Sequence, residues 1–118
     1  MPTLLHQFIS SQLPRHADKC ALVHKNRQFS YSELQDQVVN AANGFVRSGL
    51  GPTERVAIYL PKLPETVFSL FGAAMAGGAF VPVNPLLKPQ QVAYILRDCN
   101  VRILVTSKDR LALLQEVL

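Results

Sequence analysis

Apolar positions gather in three short runs, Val56-Ala-Ile-Tyr-Leu60, Ala79-Phe-Val-Pro-Val83 and Val101-Arg-Ile-Leu-Val105. Between them, apolar residues recur at helical spacing instead. That βαβαβ cadence predicts an α/β fold built on a parallel, partial doubly wound sheet. The helix between the first two runs is expected from Pro61 and Pro64 to about Ala76. Val67, Phe68, Leu70, Phe71, Ala73, Ala74 and Met75 leave it almost no polar face, so it should be buried. Pro89 opens the next helix at its favoured first position, and Asn100 is a plausible cap after its end near Asp98.

Ahead of this unit the pattern predicts a short helix and a β-hairpin. Leu4, Leu5, Phe8 and Ile9 suit an amphipathic helix from about Thr3 to Leu13, ended or closely followed by Pro14. Ala21–His24 and Gln28–Ser30 read as strands around Lys25-Asn26-Arg27, with Asn26 the residue tolerant of a left-handed turn. Ser30-Tyr-Ser-Glu33 fits a capping box, and Leu34, Val38, Ala41, Ala42, Phe45 and Val46 mark one helical face behind it. Gly49 supplies the expected left-handed terminator of that helix. Ser107 is positioned to cap a last helix, in which Leu111, Leu114, Val117 and Leu118 recur with no stop signal. The expectation is a single partial domain over residues 1–118 of a longer protein.

Composition narrows the class. In 118 residues, 48% are hydrophobic and 17% charged, which suits one modest globular core. The formal charge of +4 comes from scattered cations that form no stripe, so nucleic-acid binding is not expected. Cys20 and Cys99 form no C-x-x-C, no secretory leader is evident, and no apolar run approaches a membrane span. A cytoplasmic protein is the expectation.

Candidate chemistry is sparse. The glycines at 49, 51, 77 and 78 match neither dinucleotide nor phosphate-loop spacing, and they follow helices rather than open them. His16, Cys20 and His24 recur every four residues, yet Pro14 and the Ala21–Val23 run argue against the helix a metal row would need. Asp36, Glu54, Glu65 and Asp98 make no arguable acid–base pair, and Tyr59 and Tyr94 read as packing residues. Lys88, Lys108 and Arg110 stand out because they follow the second and third strands. Open α/β sheets bind ligands at the carboxyl ends of their strands. Solvated surface cations are the alternative.

The run Phe29-Ser-Tyr-Ser-Glu-Leu34 resembles the first core motif of AMP-forming adenylating enzymes, among them acyl-CoA synthetases, peptide-synthetase adenylation domains and luciferases. Phe71-Gly-Ala-Ala-Met-Ala-Gly-Gly-Ala-Phe-Val-Pro-Val-Asn-Pro85 resembles the second, and Gly49-Leu-Gly51 with Arg55-Val-Ala-Ile-Tyr-Leu-Pro61 keeps the expected order between them. The stretch Asn84–Val92 with Ile95–Cys99 further resembles acyl-CoA ligases associated with exosortase-A gene clusters. The resemblance implies a two-step reaction. A carboxylate attacks the α-phosphate of ATP, releasing pyrophosphate and forming an acyl-adenylate, and the thiol of CoA then displaces AMP. Magnesium assists by neutralising phosphate charge.

The resemblance also implies that the phosphate loop, the adenine- and ribose-binding motifs and the catalytic lysine lie downstream of this region. No catalytic or metal-binding residue is therefore assigned within it. Lys88, Lys108 and Arg110 become candidates for contact with the CoA nucleotide. The parent enzyme would use a small-molecule carboxylate, ATP, CoA and magnesium, whereas this chain alone is expected to be inactive, to bind none of them tightly and to self-associate through exposed apolar surface. The alternatives are a non-catalytic binding or interaction module on the same partial fold, and a free-standing nucleotide-binding protein, which the missing phosphate motif disfavours.

Overall fold

The computed structural model describes residues 4–118. Two one-turn helices, α1 (Gln7–Ser10) and α2 (Leu13–His16), precede a hairpin of β1 (Cys20–His24) and β2 (Arg27–Ser30). The single helix expected here is thus divided, and its proposed start at Thr3 lies outside the described residues. Pro14 does not end a helix. It occupies the first turn of α2, where its missing N–H costs nothing. In the hairpin turn the left-handed residue is Lys25 (φ 54°) and not Asn26.

Helix α3 (Tyr31–Arg47) starts as its sequence dictates. The Glu33 N–H donates to Ser30 Oγ at 3.1 Å, and the Ser30 N–H donates to Glu33 Oε1 at 2.9 Å. It ends at Gly49 (φ 92°), where the Gly49 and Leu50 N–H groups return to the carbonyls of Val46 and Phe45. This double return consumes acceptors that a helix end otherwise leaves open. The same pair of bonds, with Gly77 (φ 85°) as the left-handed residue, ends α4 (Pro64–Met75) and turns the chain into the sheet.

That sheet comprises β3 (Arg55–Tyr59), β4 (Ala79–Pro82) and β5 (Val101–Thr106), all parallel, in the order β4-β3-β5. Central β3 is buried on both sides, which explains its continuous apolar run. Val56 and Ile58, with Leu60 beyond them, meet Phe45 of α3 and Ala73 of α4. Ala57 and Tyr59 point the other way, to Val92 of α5 (Pro89–Asp98) and Leu114 of α6 (Lys108–Leu114). A third cluster, Ile9, Leu34, Val38 and Phe68, joins α1 and the hairpin to the outer faces of α3 and α4. There the rings of Phe29 and Phe68 meet edge to face, 5.2 Å apart.

With α4 on one face and α5 on the other, the chain steps outward from β3 to β4 and then back across β3 to β5. The order reverses at the carboxyl ends of β3 and β5, the crevice where open α/β sheets receive ligands.

Candidate functional site

Three segments meet at the carboxyl edge of the sheet. These are the exit of β3 (Tyr59 to Pro61), the loop from Val83 to Lys88, and the turn from Thr106 into α6. Each is held by its own sequence. Thr106 Oγ1 donates to the Tyr59 carbonyl at 2.8 Å, fixing the end of β5 against β3. Ser107 caps α6 by accepting the Arg110 N–H at 3.3 Å. In the loop, Asn84 Oδ1 accepts from the Leu86 N–H at 2.9 Å, and the Asn84 carbonyl accepts from the Leu87 N–H at 3.1 Å.

Two hollows flank this edge. One, of about 210 Å³, is walled by Ile58, Leu60, Thr66, Leu70, Val83 and Pro85 and is almost wholly apolar. The other, of about 490 Å³, lies over the strand-order reversal between Pro61 and Leu63 on one side and Ser107, Asp109, Arg110 and Leu113 on the other.

All three cations singled out in the sequence stand on this edge, in different states. Lys88 is the exposed residue before α5, where its N–H donates to Gln91 Oε1 at 3.0 Å. Lys108 is exposed at the first position of α6. Arg110 is half-buried. Its guanidinium carbon lies 4.8 Å from the centre of the Tyr59 ring, and its Nη1 donates to the Pro85 carbonyl at 2.7 Å. The Tyr59 hydroxyl, on a residue only 2% exposed, donates to the Leu87 carbonyl at 3.0 Å.

Sequence reasoning named Arg110 for its charge and missed its partners Tyr59 and Pro85. The signal lay in its place two residues into a helix capped by Ser107. Helical side chains lean back toward the N-terminus, which here is the end of the sheet. Tyr94, expected to pack, is 63% exposed on α5, and Leu111, expected on the buried stripe of α6, is also exposed.

The other groups weighed from sequence do not converge. His16 belongs to α2, while Cys20 and His24 bracket β1, so they share no helical row. Among the described residues, no group of three or more His, Cys, Asp or Glu side chains could hold a metal ion. The turn glycines follow helices α3 and α4 and are engaged in ending them. One ion pair with a clear electrostatic signature ties the hairpin to the first turn of α4, where Arg27 grips Glu65 at 2.9 Å. The Arg27 hydrogen bond holds the Glu65 carboxyl below its ordinary range, against a smaller opposing effect of burial. No described helix is long and apolar enough to cross a membrane.

Residues 9–118 match the AMP-binding enzyme family. Among curated proteins, the chain is 36% identical over 107 residues to the crotonobetaine/carnitine–CoA ligase of Salmonella typhimurium, covering 86% of this chain and 21% of that one. It is 34% identical over 113 residues to tyrocidine synthase 3 of Brevibacillus parabrevis, covering 96% of this chain and 2% of that one. The chain therefore spans a small part of the length of these relatives. Among solved structures, an anthranilate CoA ligase in complex with anthranoyl-AMP superposes with a TM-score of 0.92 at 28% identity, over 99% of this chain and 23% of that one. A benzoate CoA ligase from Burkholderia xenovorans has the same fold over 94% of this chain and 23% of its own, with a TM-score of 0.87 at 22% identity. A capped helix, two glycine-terminated turns, a parallel β4-β3-β5 sheet and a match over almost the whole chain agree: this chain belongs to the AMP-binding enzyme family, the adenylate-forming ligases.

Proposed function

We propose that these residues form the amino-terminal part of the large domain of an ATP-dependent, AMP-forming acyl-CoA ligase. In this reading they are the scaffold against which the reactive machinery assembles. The observation that supports it most is the join of a family match over residues 9–118 with an open crevice at the strand-order reversal. The donors for magnesium and triphosphate are supplied by other parts of the enzyme. This region contributes a shaped edge: the apolar hollow beside Pro85, the wider cleft over Ser107 and Arg110, and the free cations Lys88 and Lys108. Those two exposed ammonium groups remain suited to the phosphates of the CoA nucleotide, by charge alone. The likeness to named CoA ligases favours CoA as the acceptor, and the protein's place is then the cytoplasm, where CoA and ATP are supplied.

The test is chemical. The complete gene product, given a panel of carboxylates with ATP and magnesium, should form an adenylate that hydroxylamine traps as a hydroxamate. Adding CoA should convert the adenylate into a CoA thioester. Adenylate formation without any thioester would point to a different acceptor, as in the peptide synthetases. No adenylate with any carboxylate would refute the ligase reading and favour a non-catalytic binding module.

A further inference from the structure

Tyr59 is the last residue of the central strand and is buried among Ala57, Val83, Val92 and Leu114. A phenylalanine would fill that apolar site as well. The hydroxyl does something else: it donates to the Leu87 carbonyl at 3.0 Å. That carbonyl belongs to the peptide group whose nitrogen is the Lys88 N–H, and this N–H donates to Gln91 Oε1 at 3.0 Å. One planar peptide is therefore pinned at both its oxygen and its nitrogen, which fixes where the Lys88 side chain leaves the backbone. The ring of Tyr59 carries a second cation, the Arg110 guanidinium, 4.8 Å from its centre. Arg110 uses one donor on the Pro85 carbonyl at 2.7 Å and keeps the rest of its fork beside the cleft it lines over the strand-order reversal. A single buried side chain thus places two cations from separate segments at the ligand-binding edge.

We propose that Tyr59 is a positioning residue for the thioester-forming step. Its hydroxyl sets Lys88 and its ring sets Arg110, so that both cations meet the phosphates of the CoA nucleotide. This deepens the acyl-CoA ligase reading given above and rests on it. Cations placed in advance lose less freedom when a polyanion binds, so the effect falls on CoA affinity and not on the bond being made.

The experiment follows the two half-reactions separately in the complete gene product, comparing wild type, Tyr59→Phe, Tyr59→Leu, Lys88→Ala and the Tyr59→Phe/Lys88→Ala pair. Tyr59→Phe keeps the ring beneath Arg110 and removes only the hydroxyl. Its KM for CoA should rise about fivefold with kcat nearly retained, while carboxylate-dependent pyrophosphate exchange stays at the wild-type level. Pantetheine has the thiol arm without the nucleotide phosphates, so with it as acceptor Tyr59→Phe and wild type should give the same kcat/KM. Tyr59→Leu, which also takes the ring from Arg110, should raise KM for CoA further. Lys88→Ala should raise it too, and adding Tyr59→Phe should then change little, because the cation being placed is already gone. An unchanged KM for CoA in Tyr59→Phe would overturn the proposal. So would an equal loss with CoA and pantetheine, or a parallel loss of pyrophosphate exchange, since either describes a tyrosine that merely supports the fold. Fully additive effects in the double variant would overturn the link to Lys88, and no greater rise in Tyr59→Leu would overturn the link to Arg110. A wild type that forms no adenylate, or an adenylate and no CoA thioester, would instead overturn the reading beneath.

Discussion

Gly72 of α4 lies directly against Ala41 of α3. A Cβ placed on Gly72 would sit 2.7 Å from the Ala41 Cβ and 3.1 Å from the Ala42 nitrogen. The first neighbour is a rigid methyl and the second is backbone, so neither yields by a rotamer change. The absence of a side chain at 72 sets how closely the two helices approach. Together they cover one face of the sheet.

Gly72→Ala should therefore destabilise the protein although alanine is the better helix former. Propensity favours alanine by about 1 kcal/mol, and overpacking of a filled interface costs about 1–3 kcal/mol. A net loss of about 1 kcal/mol is expected, read as a lower urea midpoint. Ala41→Gly in the same chain should recover part of it, because the two positions are in contact.

Ser30→Ala removes the acceptor for the Glu33 N–H and half of the reciprocal pair that starts α3. The expected loss is about 1 kcal/mol in chemical denaturation. Ser30→Asp keeps an acceptor at the same place and should retain most of the stability. If Ser30→Ala were as stable as wild type, the reciprocal bonds would not be what fixes this helix start.

Arg27 and Glu65 tie the hairpin to the start of α4. The Glu65 carboxyl is held below its ordinary range, so its contribution is present at neutral pH and above the ordinary glutamate range. It fades as pH falls through the lowered value, where the folded state too takes up the proton. Both side chains are about half exposed, at 51% and 44%, so the effect is small and shrinks with salt. The stability gap between wild type and Glu65→Gln should close on acidification. A gap that widens in acid would contradict the assignment.

Apolar surface remains open on the α5 and α6 side, at Leu86, Tyr94, Leu113 and Leu118. Among the described residues, β4 and β5 each leave one edge unpaired. The isolated 118-residue chain should therefore self-associate. Light scattering across a dilution series should report masses above the monomer at higher concentration, and a monomer throughout would contradict this.

How much of this could be read in advance differs by element. The capping box, the Gly49 stop and the three apolar runs that become the parallel strands are local or periodic signals, and the structure follows them. The division at α1 and α2 was hidden because Pro14 suits a first helical turn as well as a position just after a helix. Leu111 sits at the margin of its apolar stripe, where spacing alone does not say which flank a neighbour covers, and Tyr94 lies across α5 from buried Val92, so its ring carries apolar surface on the outer face. The grip of Arg110 on Pro85 joins helix α6 to the loop after β4, 25 residues earlier in the chain. Only the strand order, with β5 returning beside β3, brings that helix and that loop together.

The central claim is that these residues are scaffold for a reaction whose reactive groups lie elsewhere in the enzyme. The most direct measurement is carboxylate-dependent exchange of labelled pyrophosphate into ATP, run in parallel on the isolated 118-residue chain and on the complete gene product. The account predicts background exchange from the first and sustained exchange from the second. Exchange by the isolated chain, or none from the complete product with any carboxylate, would contradict it.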